Sequence, residues 1–176
     1  KGSVYLEDSS GEVVNVTTLD NEGLREVRQN RISMVFQEFA LFPHMSVLEN
    51  VIYGLKVKGE DNCEKKGKEM LDEVGLNGWE DVSPSELSGG MKQRVGVARA
   101  FVTNSDVVLM DEPFSALDPL IRREMQEWFL DELKHKFEFE RTIFFITHDL
   151  QEALRVGDRI AIMNEGQMVQ IGSPED

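Results

Sequence analysis

Two neighbouring carboxylates, Asp111 and Glu112, follow the apolar run Val107-Val108-Leu109-Met110 and precede Pro113. An apolar strand ending in two acids can hold a magnesium ion and orient a water beside it. The same pair can equally be two solvated acids at a strand end. Ser88, Gly89 and Gly90 form a second candidate. Glycines let a backbone approach an oxyanion closely, and the free N–H groups and dipole at a helix start attract phosphate. A plain helix N-cap at Ser88 is the structural alternative. His148 follows Phe144-Phe145-Ile146-Thr147, where an imidazole either reaches a bound phosphate or is a satisfied structural group. No G-x-x-x-x-G-K-[ST] pattern, the loop that cradles nucleotide phosphates, occurs in the 176 residues. The three histidines and one cysteine lack metal-ligand spacing, which rejects a zinc site.

The elements that must position these groups are legible in outline. Val4-Tyr5-Leu6 and Val13 to Val16, separated by Ser9-Ser10-Gly11, predict an antiparallel hairpin. Residues 23–28 are helix-prone. Ile32 to Phe36 predicts a short strand with Gln37 at its carboxyl end. The apolar but proline-broken stretch Phe39 to Met45 predicts a loop, and Ser46-Val47-Leu48-Glu49 has the spacing of a capping box. A charged surface helix is expected over 64–75, ending at Gly75. A further helix is expected from the Ser88 turn to about Phe101. Val107 to Met110 and Ile143 to Ile146 both read as strands covered on two faces. Between them Ile121, Met125, Trp128, Phe129, Leu133 and Phe137 recur at helical intervals and predict one amphipathic helix. Residues 159–163 and 167–171 flank a turn at Asn164-Glu165-Gly166. Strands alternating with helices indicate an α/β architecture with a mostly parallel sheet.

The bulk numbers narrow the partners. A chain of 176 residues is expected to form one domain with a sizeable core. The formal net charge of −14 argues against nucleic acid as a partner. Cys63 lies in the polar stretch 59–64 and reads as a solvent-exposed thiol, while His135 reads as an exposed residue of a charged helix. No apolar run is long enough to span a bilayer, and the first residues do not resemble a signal peptide, so an intracellular placement is expected.

Five motifs in order resemble the nucleotide-binding domain of ABC transporters. They are Gln37, the run Leu87-Ser88-Gly89-Gly90-Met91-Lys92-Gln93-Arg94, Asp111-Glu112-Pro113, Ser115-Ala116-Leu117-Asp118 and Thr147-His148-Asp149. Met91 replaces the commoner glutamine at the last signature position. The stretches 34–45, 87–91 and 114–122 look closest to importers of quaternary amines such as glycine betaine, proline betaine and choline. The resemblance implies a P-loop NTPase-like α/β fold, with 1–176 a single truncated domain and about 46–103 a helical signature subdomain.

The same resemblance implies ATP and Mg²⁺ as cofactors. Asp111 and Gln37 would meet the metal, Glu112 would polarise the attacking water, and Gln37 and His148 would assist it. Ser88, Gly89, Gly90, Met91 and Asp118 would serve nucleotide held by an opposite subunit. The implied partners are a membrane permease subunit, docked on the loop after Gln37 (Phe39, Leu41, Phe42 and Met45), and a second ATPase subunit in a homo- or heterodimer. The implied location is the cytoplasmic face of the membrane, peripherally attached. In the family a strand, the P-loop and its helix precede the equivalent of Lys1, and that strand lies between those ending at His148 and containing Ile160 to Met163. Either those two strands close up or an apolar slot stays open, which would favour self-association. Without the P-loop the chain alone is expected to bind ATP weakly or not at all and to be inactive. The alternative is a non-catalytic module that pairs with a full-length ATPase or membrane subunit.

Overall fold

The computed structural model describes residues 2–7, 11–133 and 141–175. Its centre is a three-stranded, wholly parallel sheet in the order β3–β4–β5. Strand β4 (Val107–Asp111) lies between β3 (Ile32–Val35) and β5 (Thr142–Ile146). Val107, Val108 and Met110 are buried, as the continuous apolar run requires of a strand covered on both faces. Two antiparallel hairpins stand apart from this sheet: β1 (Tyr5–Glu7) with β2 (Val13–Asn15), and β6 (Ile160–Asn164) with β7 (Gln167–Gly172). The second turns at Glu165 and Gly166, both at positive φ, the backbone of a tight two-residue hairpin turn.

Helix α1 (Asn21–Asn30) precedes β3 and is capped by Asp20, whose carboxylate accepts the Gly23 N–H at 2.8 Å. Three helices then intervene before β4: α2 (Val47–Lys58), α3 (Cys63–Glu73) and α4 (Gly89–Phe101). The expected capping box opens α2: Ser46 Oγ accepts the Glu49 N–H, and the Glu49 carboxylate accepts the Ser46 N–H. Helix α3 gives way at Val74 to Gly75, whose φ of +68° suits glycine. Helix α5 (Pro119–Trp128) follows β4, and α6 (Leu150–Val156) follows β5.

Two apolar clusters share α4 as a wall. Val47, Val51, Ile52 and Leu55 of α2 pack with Leu71 of α3 and Val95 and Ala98 of α4. On the other face of α4, Val97, Ala100 and Phe101 pack with Val35, Val108, Met110, Phe114, Met125 and Phe129. Burying each Val, Leu, Ile, Phe or Met side chain among them contributes about 1.5–3 kcal/mol. Helices α2 and α3 touch closely at Gly67, where an added Cβ would stand 2.3 Å from Ile52 Cγ2 and 2.7 Å from Leu48 Cδ1.

Three expectations need correction, and one of two open alternatives, closure of the β5 and β6 strands, is not what is found. Strand β5 is not covered on both faces: Phe144 is 57% and Ile146 56% exposed, while Ile143 and Phe145 pack inward. It pairs with β4 alone among the described residues, and β6 pairs with β7, so the β5 and β6 strands do not close up. The single long helix after β4 is interrupted, since the α-helix ends at Trp128 and a π-helical turn runs over Phe129–Leu133. Phe137 and His135 lie outside the described residues. Cys63 is half-buried, with its thiol donating to the Glu60 carbonyl and its side chain against the α2 cluster.

The loop between β3 and α2 hangs on Asn50, which is fully buried in α2. Its Oδ1 accepts the Phe42 N–H at 2.7 Å, and its Nδ2 donates to the carbonyls of Phe42, Met45 and Ser46. Replacing Asn50 with leucine leaves those loop groups unpaired in a buried setting, so unfolding in urea should show a loss of about 2–4 kcal/mol. Gly67→Ala gains helix propensity but forces a sub-contact Cβ against Ile52. A net loss of about 1–2 kcal/mol is expected by the same measurement, where no change would mean that α3 shifts freely.

Candidate functional site

Parallel pairing brings the carboxyl ends of β3, β4 and β5 to one edge of the sheet. Val35 lies opposite Met110, and Asp111 opposite Ile146. The chain therefore leaves β3 at Gln37, β4 at Glu112 and β5 at His148 within reach of one another. Gln37 Nε2 donates to Glu112 Oε2 at 3.3 Å, and His148 Nδ1 lies 3.0 Å from Glu112 Oε1. With its proton on Nδ1 the imidazole donates to the carboxylate, and both Glu112 oxygens are then engaged. Crevices outside the carboxyl ends of parallel strands are where open α/β sheets bind ligands.

Glu112 is held in an uncommon backbone shape. Its φ is +44°, in the left-handed region that residues other than glycine seldom occupy. Its N–H donates to the Ile146 carbonyl at 2.9 Å, and its own carbonyl accepts from the Ser115 N–H and hydroxyl. Strain that the surroundings over-determine in this way is typical of working sites. Asp111, next to it, is half-buried at the strand end and is not part of the Gln37–Glu112–His148 group. Among the described residues no cluster of three His, Cys, Asp or Glu side chains forms a ready cation cage. That donor set, one or two carboxylates plus an amide, fits magnesium, which keeps waters and takes phosphate oxygens rather than a full protein cage.

The Ser88 turn is the start of α4, as expected. Ser88 Oγ accepts the Met91 N–H at 3.3 Å, so the N-cap reading holds. Ser88 and Gly89 are exposed, which leaves the helix start open to solvent. Gly90 is buried against α5: a Cβ there would meet Ile121 Cγ2 at 2.8 Å. Its lack of a side chain is thus required by helix packing. Met91 is half-buried and packs into the α2 cluster. Asp118 is exposed and caps α5, accepting the Ile121 N–H at 3.2 Å. The structure therefore joins Gln37, Glu112 and His148 directly. Ser88, Gly89, Gly90 and Asp118 gather instead where α4 meets α5.

Sequence reasoning missed several polar groups around these residues. Arg122 donates from Nε to the Phe114 carbonyl and from Nη2 to those of Ser115 and Leu117, stapling the segment between Glu112 and Asp118. Glu152, buried in α6, accepts from Gln126 Nε2 at 2.8 Å, and with Arg122, Thr147 and His148 it lines a small cleft beside Glu112. Gln93 of α4 is fully buried, with neither amide atom hydrogen-bonded. Arginine-to-carbonyl bonds carry no sequence signal, because their partners are backbone. The helical spacing of Gly90, Gln93 and Val97 could have placed Gln93 on an inward face.

The loop after Gln37 divides. Phe39 and Leu41 pack against the apolar clusters, while Phe42 lies against Tyr53 with ring centroids 4.7 Å apart and near His44. No helix among the described residues is long and apolar enough to cross a membrane.

A family model described as ABC transporter matches residues 4–115. The glycine betaine transport ATP-binding protein OpuAA of Bacillus subtilis (strain 168) is 52% identical over 177 residues, covering 99% of this chain and 40% of that protein. The glycine betaine/proline betaine transport system ATP-binding protein ProV of Escherichia coli (strain K12) is 51% identical, covering 97% and 44%. The chain thus spans about two-fifths of the length of these curated relatives. Among solved structures, the ATP-binding cassette MJ0796, in a dimeric post-hydrolysis state bound to ADP and Pi, superposes with a TM-score of 0.77 at 29% identity, covering 99% of this chain and 74% of that one. The order of motifs, the parallel sheet that gathers three of them and these matches agree: the chain has the α/β fold of an ABC nucleotide-binding domain and belongs to the ABC transporter family.

Proposed function

We propose that the chain is part of an ATP-binding subunit that energises import of a quaternary-amine osmolyte such as glycine betaine or choline. The observation that carries this reading is the Glu112 carboxylate, held between Gln37 and His148 at the mouth of three parallel strands. Bound Mg·ATP supplies the phosphoanhydride to be cleaved. Asp111 and Gln37 are the side chains that would hold the metal, and Glu112 the one that would take a proton from water. His148, whose Nδ1 lies 3.0 Å from Glu112 Oε1, keeps that carboxylate aimed while its side chain stays largely exposed. The exposed Ser88–Gly89 helix start, with Gly90, Met91 and Asp118, would face nucleotide held by a second ATP-binding subunit. The names of the relatives, which include glycine betaine, proline betaine and carnitine transport, support the solute class.

Residues 46–103 serve in this reading as the helical signature subdomain within a single domain. The loop after Gln37 serves as the contact for a membrane permease, with Phe42, His44 and the half-exposed Tyr53 its outward part. The assembly would sit on the inner face of the cell membrane.

The second reading, a module that pairs with a full-length ATPase or membrane subunit without hydrolysing, is tested on these 176 residues, which contain no phosphate-cradling G-x-x-x-x-G-K-[ST] loop. Phosphate release by the purified chain is expected at background level. Mixed with a P-loop-bearing ATP-binding subunit, the chain should raise turnover, and Glu112→Gln should remove the increment by a factor of about 10²–10⁴. Binding to that subunit without added turnover would favour the module, and turnover by the chain alone that is lost in Glu112→Gln would overturn the inactive reading. Salt-stressed cells that depend on this gene for glycine betaine uptake should lose rescue by glycine betaine in the same variant. Retained uptake would sink the solute assignment or the role of Glu112.

A further inference from the structure

The loop after β3 is bent into a shape that ordinary residues avoid, and the last turn of α4 holds it there. Phe39 and Ala40 have φ of +61° and +44°, two consecutive residues with side chains in the left-handed region. Arg99 Nη2 donates to the Phe39 carbonyl at 3.0 Å and Nη1 to the Ala40 carbonyl at 2.6 Å. One turn earlier, Gly96 leaves the helix surface bare beneath this loop: a Cβ there would lie 3.7 Å from the Phe39 oxygen. The guanidinium also lies 6.0 Å from the Phe42 ring centroid, fixing it from a third side.

We propose that Arg99 is the positioning residue for Gln37, clamping the loop so that the Gln37 amide meets Glu112. A planar fork with several donors can hold two successive carbonyls at fixed angles, which a single ammonium cannot. Partial burial lowers the Arg99 pKa, and the two carbonyls offset part of the hydration that the guanidinium loses. Gln37 stands only two residues before Phe39, too near to keep its direction if the left-handed pair relaxes. The arrangement also ties one end of α4 to Gln37 while the other end begins at the Ser88 turn. A tilt of that helix would therefore move Gln37 relative to Glu112. The importance of this coupling rests on the reading of Gln37 as a functional side chain; the clamp itself does not.

The test reads the Gln37 side-chain amide by nitrogen–proton correlation spectroscopy of the 176-residue chain, with Gln37→Ala to assign it. Glu112→Ala defines the position of the freed amide. Arg99→Met is expected to move the Gln37 signal at least halfway to that position and to raise exchange of the Ala40 amide about tenfold. Arg99→Lys should fall between Arg99→Met and the unaltered chain. Adding Ala40→Gly to Arg99→Met should return the signal most of the way, because glycine adopts the left-handed shape without the steric cost that the clamp offsets. A generic stabilising arginine would show no such rescue. A Gln37 signal unmoved in folded Arg99→Met, or no return with Ala40→Gly, would overturn the proposal. Where Arg99→Met yields no folded protein, Arg99→Lys with and without Ala40→Gly carries the same comparison. No ATP turnover enters the readout, so failure of the ATPase reading and failure of the clamp are separately visible.

Discussion

The rest of the structure depends on β4 having a parallel partner on each side. A one-residue slip of a strand paired on both edges swaps its two faces and would take Val108 and Met110 out of the apolar cluster they fill. Val108 and Met110 enforce that register, and Arg31 reinforces it at the other end through its ion pair with Asp106 at 2.8 Å. Once β4 is fixed, the chemistry at its carboxyl end is fixed with it. Glu112 emerges where the two neighbouring strands also end, and Gln37 and His148 arrive from residues distant in sequence.

Helix α4 is the second constraint, because it belongs to both apolar clusters. Its two faces ask for different things: Val95 and Ala98 fill the α2 side, and Gly90 lets α5 come close on the other. Its basic residues finish the contacts with backbone acceptors. Arg94 donates to the Val74 carbonyl at the end of α3 and stacks over Trp128, and Arg99 takes the loop carbonyls. Arginine suits both tasks, since a long stem can lie along apolar surface while the head spans several acceptors. A helix joined in this way to three neighbours moves with them or not at all.

Much of this was legible in the residues. Ser46 and Glu49 announced their helix because the two halves of a capping box lie three residues apart. Glu165-Gly166 announced a hairpin, and Val107 to Met110 a central strand. Ile143 to Ile146 looked the same as that central strand and proved half exposed, since the number of covered faces depends on neighbours that a local run of residues does not encode. Phe39, Leu41 and Phe42 looked alike as sticky loop residues, yet packing sent the first two inward. The Gln37–Glu112 contact joins residues 75 apart, so only the strand order reveals it. The Arg99 and Arg122 contacts are to carbonyls, which every residue has, and no side-chain pattern marks them.

The outward side of β5 bears on how copies of the chain behave towards one another in solution. Phe144 and Ile146 meet water beside a strand edge that the described residues leave unpaired. Such an edge offers backbone donors and acceptors to any strand that reaches it, and the two side chains add an apolar reward. At neutral pH a net charge of −14 on every molecule opposes that encounter over the range of a Debye length. As acidity approaches the isoelectric point near 4.6, or as salt shortens that range, the repulsion fades while the edge remains. The acidic surface thus acts as a colloidal guard, and the chain's clarity in solution depends on the buffer as much as on the fold.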